Sequence, residues 1–195
     1  MKRMIAAALF AMILGSLAFL GPVRSQPPVP PFAQQAPPGW KHILRQRLVE
    51  YGHRNWIVVA DSAYPAQSRS GIETVLTGDD HLKVVGFVLA EIEKQKHVRP
   101  RIYLDAELPY VSEKDAPDIR DYRSDLKDLL GERKPASVLH EDLIAKLDKT
   151  GAAFNILVLK TTMMLPYTSV FIELDCGYWS AEAEKRLREA MKAKE

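Results

Sequence analysis

The sequence predicts an α/β domain with a mainly parallel central sheet covered by helices on both faces. Two observations predict it. Short apolar runs of strand length alternate with longer segments of helical apolar spacing. Those runs are continuously apolar rather than alternating, as strands buried on both faces should be. Size and composition agree: 195 residues, 47% apolar and 27% charged, can bury a core without staples. A single cysteine, Cys176, excludes an intramolecular disulfide.

The elements follow in order. Trp40 to Tyr51 carries Ile43, Leu44, Leu48 and Val49 at helical spacing, and Gly52 stands where a helix C-terminal glycine belongs. Trp56 to Ala60 is a β-branched run read as a buried strand, closed by Asp61. Residues 62–71 hold Ser, Pro, Gln, Arg and Gly and read as a loop. His81 to Lys96 is a helix with Leu82, Val85, Val88, Leu89 and Ile92 on one face. Arg101 to Ala106 is a second strand. Asp115 to Leu130 is a polar helix striped by Ile119, Tyr122, Leu126 and Leu129. Ser137 to Leu139 is a short strand and His140 to Lys149 a helix. Phe154 to Lys160 and Ser169 to Leu174 are two more strands, and Ala181 to Glu195 is a charged helix.

Two appendages precede the domain. Lys2 and Arg3 lead an almost unbroken apolar run from Met4 to Leu20, broken by Gly21-Pro22, with Val23 and Ser25 at the −3 and −1 positions of a cleavage site. This is the order of a secretory signal peptide over residues 1–25, or of a retained membrane anchor. Residues 26–39 hold six prolines and read as an extended linker, so the folded domain is 40–195. The formal charge is +2. Residues 1–25 carry Lys2, Arg3 and Arg24 and no acid, so losing three cations leaves −1 on the rest. That balance gives no argument for a nucleic-acid partner.

Chemistry has few places to sit. There is no G-x-S-x-G elbow, no phosphate-binding G-x-x-x-x-G-K-[ST] loop, no G-x-G-x-x-G, and His140-Glu141 lacks the second histidine of a zincin. In α/β sheets ligands bind beyond the carboxyl ends of strands, which singles out Asp61. Its bland alternative is a turn residue. His53 precedes the same strand, and His140 starts a helix after another; each serves equally well as a helix-end residue. Tyr167 precedes the last strand, and its bland reading is a buried tyrosine with a hydroxyl partner. His42, His81 and His97 are placed on solvated helix faces with no role.

Together these segments resemble the D-ribose pyranase / L-fucose mutarotase family. One block is Tyr51-Gly52-His53, the apolar strand, then Asp61-Ser62-Ala63-Tyr64-Pro65-Ala66-Gln67-Ser68. Another runs from Lys160 through Tyr167 to Ile172, and a third is His140-Glu141 opening a helix. The resemblance implies a cofactor-free, metal-free isomerase acting on a free monosaccharide, exchanging anomers or pyranose and furanose forms by histidine acid/base chemistry. It implies His53 as the acid/base, Asp61 orienting sugar or imidazole, and His140 and Tyr167 on sugar hydroxyls or the ring oxygen. Ser169, Lys160, Pro65 and Gln67 become substrate contacts. It also implies a homo-oligomer, a pentamer or decamer, with sites shared between neighbours. The family Arg, Gly, Glu and Asn are replaced by Lys160, Thr162, Met163 and Ser169. A second reading is therefore a catalytically impaired carbohydrate-binding or ring-scaffold protein. With its leader the protein is expected to be exported, touching membrane only through an uncleaved N-terminal segment.

Overall fold

The structure, a computed structural model, describes residues 39–193. The expected leader at 1–25 and all but Gly39 of the expected linker lie outside the described residues. Among those described, no helix is long and apolar enough to cross a membrane.

The chain runs α1 (Trp40–Glu50), β1 (Trp56–Ala60), β2 (Ile72–Leu76), α2 (His81–Glu93), β3 (Val98–Asp105), a 3-10 turn (Leu108–Tyr110), α3 (Ile119–Leu130), β4 (Ala136–Val138), α4 (His140–Gly151), β5 (Ile156–Lys160), β6 (Val170–Cys176) and α5 (Ala181–Lys192). One six-stranded sheet has the order β2-β5-β1-β6-β3-β4. β1 and β2 pair parallel with β5, and β3 pairs parallel with β4. β6 runs antiparallel between β1 and β3. The expected α/β class with a mainly parallel sheet is what forms.

Side-chain alternation splits the core into two layers. Ile57, Val59, Leu157, Leu159, Val170 and Ile172 face one way, packing with Leu44 and Leu48 of α1, Val85 and Val88 of α2, and Leu126 of α3. Trp56, Val58, Ile156, Val158 and Phe171 face the other way onto Leu143 and Leu147 of α4. Burial on both faces is why these strands read as unbroken apolar runs. α5 buries none of its described residues.

Several boundaries differ from the sequence reading. Gly52 is not the left-handed residue after α1: Tyr51 is already extended, and Arg54 takes φ 75° instead. α3 starts at Ile119, not Asp115, because Pro117 disfavours helix at Ala116 and Asp118 sits at φ 71°. The Glu113 carboxylate then accepts from the Asp118 and Arg120 N–H groups, covering the helix start. β2 lies in a stretch with no strand assignment: as an edge strand carrying Glu73 and Thr74 it has no unbroken apolar run.

Candidate functional site

All strands but β6 point one way, so their carboxyl ends share one edge with the amino end of β6. The loop leaving β1 leads away to β2, while β3 continues to β4 on the other side of β6. That divergence is a topological switch point, where α/β sheets hold ligands. Val170 of β6 pairs with both Val59 and Leu104. The register therefore sets Ser169 between Asp61 beyond β1 and Asp105 at the end of β3, with His140 following β4 next in the row.

The polar groups in that row engage one another. The Ser169 hydroxyl donates to Asp61 Oδ2 at 2.9 Å, and the Ala63 N–H donates to Asp61 Oδ1 at 2.8 Å. His140 Nδ1 meets Asp105 Oδ1 at 3.1 Å. Asp105 is 1% exposed, and its Oδ2 is buried without a partner among the described residues. Burial pushes its carboxyl up to about 6; His140 pulls it down, and the charges of Glu107 and Asp61 push it up again. α4 has Leu139 at its N-cap and no side-chain cap of its own. Glu107 supplies one from outside, both carboxylate oxygens lying 3.1 Å from the His140 N–H. His140 and Tyr167 stack edge to face at 5.6 Å. Tyr167 takes φ 58°, a left-handed conformation rare for a tyrosine, and is 39% exposed. Buried Tyr64 donates to Gln67 Oε1 at 3.0 Å, and burial beside Asp105 and Asp61 raises its phenol well above the usual range.

This geometry provides an imidazole backed by a carboxylate and a second carboxylate, Asp61, with lone pairs to spare, on one sheet edge. Among the described residues, no cluster of three or more His, Cys, Asp or Glu could hold a metal ion.

No protein-family model matches the chain, and no curated protein matches it. Solved structures do. Bacillus subtilis RbsD complexed with D-ribose superposes with a TM-score of 0.50 at 18% identity, over 75% of this chain and 100% of that one. The fold is that of RbsD. Looser likenesses link the chain to FucU from Bifidobacterium longum (TM-score 0.46, 20% identity, 68% and 92% covered). The fucose mutarotase complexed with L-fucose from Streptococcus pneumoniae is similar too (0.43, 19%, 66% and 87%).

On this RbsD fold the expected site residues divide. Asp61, Ser169, His140 and Tyr167 meet on the switch-point edge. His53 does not join them. It lies exposed in the turn before β1, at the opposite end of that strand, so within one chain it cannot serve as the acid/base beside Asp61. It lines an open groove of about 670 Å³ with Arg99, Arg101, Asp175 and Trp179. Lys160 ends β5 at the site edge, where its ammonium donates to the Tyr64 carbonyl at 2.8 Å. Gln67 is engaged by Tyr64, and Pro65 is exposed on the same loop. Met163, where the resemblance expects a glutamate, packs partly buried against the core.

Two other readings need correction. Tyr167 is not a buried tyrosine. His81 is not on a solvated face: it is fully buried, its Nε2–H donating to the Val59 carbonyl at 3.3 Å, and burial lowers its pKa to about 4. Asp105 and Glu107 were missed altogether. The available signal was Asp105 closing a strand as Asp61 does.

Proposed function

We propose that the protein binds a free monosaccharide at the switch-point edge and interconverts its anomers or ring forms by acid/base chemistry without a cofactor. The observation that carries this reading is the carboxylate-backed imidazole of His140 in one row with the Asp61–Ser169 pair. The RbsD fold, seen elsewhere with D-ribose bound, supports the choice of a sugar.

Ring opening needs a base for the anomeric hydroxyl and an acid for the ring oxygen. Neutral His140 takes the hydroxyl proton, the electron pair forms the C1=O bond, and the ring C1–O bond breaks. The departing ring oxygen takes a proton from solvent or from Tyr167. Reclosure on the other face reverses each transfer. Asp61, held by Ser169 and the Ala63 N–H, accepts sugar hydroxyls on its remaining lone pairs. His53 contributes only where a second copy of the chain presents it, in an assembly of the kind the resemblance implies. Export remains part of the proposal through the leader at 1–25.

Saturation-transfer NMR on ribose, fucose and related sugars tests this. Exchange faster than in buffer, and slowed at least about a hundredfold in His140→Ala, is the expected result. Exchange at the buffer rate for every sugar overturns the enzyme reading. A carbohydrate-binding protein without catalysis is the second reading, favoured by Met163 and Lys160 being absorbed into packing and a backbone bond. Calorimetric sugar binding without rate enhancement would establish it.

A further inference from the structure

Two carboxylates from the end of β3 converge on the first residue of α4. Glu107 has an architectural explanation, because it caps a helix that lacks its own cap. Asp105 has none. Its side chain is fully buried, one oxygen engages an imidazole, and the other has no partner among the described residues. An unsatisfied buried acceptor costs about 1–3 kcal/mol, and more when charged. An asparagine or leucine would fill the space without burying a charge. Groups kept in such a state usually serve a site.

We propose that Asp105 is a positioning residue for His140. It holds the ring through Nδ1–H, leaving Nε2 as the free base, and it compensates the imidazolium formed when Nε2 takes a proton. This rests on His140 as the acid/base group of the sugar reaction proposed above. The 3.1 Å Nδ1 contact supplies the geometry, and the Glu107 clamp on the His140 main chain fixes the base of the side chain. Without Asp105 a neutral imidazole is free to carry its proton on Nε2, and that nitrogen then cannot take the sugar proton. The groups facing Asp105 are His140 and Glu107, Asp61 beyond β1, and the buried phenols of Tyr64 and Tyr122. The carboxylates oppose ionisation of Asp105 and His140 favours it.

The test uses the full-length protein, ¹⁵N-labelled. Long-range ¹H–¹⁵N spectra of the His140 ring, assigned with His140→Gln, report which nitrogen is protonated in the neutral form. Protonation on Nδ1 in the wild type, moving to Nε2 in Asp105→Leu, is expected; a wild-type ring protonated on Nε2 overturns the proposal. This reading needs no sugar, and its wild-type arm needs no Asp105 variant to fold. In the exchange assay, Asp105→Leu should lower kcat about tenfold or more with KM little changed, and Asp105→Glu should recover part of it. An unchanged kcat in a folded Asp105→Leu also overturns the proposal. Should no sugar exchange faster than in buffer, the sugar reading fails, and the ring spectra still decide the role of Asp105.

Discussion

The folded chain holds the Asp105 proton more tightly than the unfolded chain does, because burial raises that carboxyl from its ordinary 3.8 to about 6. The sign follows from linkage. The stabilisation from this proton is complete below pH 3.8 and is lost as pH rises through about 6. Asp105→Asn has no such titration. It is therefore expected to melt higher than the wild type above pH 6.5, by on the order of 1 kcal/mol, with the gap closing by pH 4. Thermal melts across that range check it; a gap of constant size from pH 4 to 8 would refute the assignment. His81 behaves oppositely, its stabilisation complete above 6.5 and lost as pH falls through about 4. At this scale Asp61 and His140 were singled out by position at a strand end and a helix start, and Tyr167 and Ser169 only through the resemblance. The partner of His140 was not, because nothing local ties residue 105 to residue 140.

Elements were legible where burial was two-sided and obscure where it was not. β1 and β5 read clearly because both faces are covered. β2, one-sided at the edge, did not. Its entrance depends on a close approach: a Cβ on Gly71 would lie 2.4 Å from the Gly151 carbonyl oxygen and 2.6 Å from that of Phe154. The Gly71 carbonyl also accepts the Ile156 N–H that begins β5. Gly71→Ala should thus force backbone apart and destabilise by about 1–3 kcal/mol, measured by urea unfolding. A loss below a few tenths of a kcal/mol would show that the β2–β5 start yields freely. Helix ends were the least legible, since α3 and α4 are both capped by glutamates outside the helix, Glu113 and Glu107.

For the whole molecule, two core layers around the sheet suffice, and α5 contributes to neither. Its Ala183, Leu187 and Met191 form an uncovered stripe on a charged helix, with Leu187 and Met191 exposed. Deleting residues 181–195 should therefore leave the melting temperature within about 3 °C of the wild type. A drop of about 10 °C would mean that α5 completes the fold. The sequence by itself determined the α/β class, the buried strands and the candidate residues at strand ends, because apolar periodicity and strand-end position are local properties of the chain. Tertiary structure alone decided which of those residues meet. Inserting antiparallel β6 between β1 and β3 gathers Asp61, Ser169, Asp105 and His140 on one edge. The length of β1 holds His53 at the other. Neighbours in sequence can lie at opposite ends of a strand, while residues far apart in sequence meet through strand order and register, which no local pattern encodes.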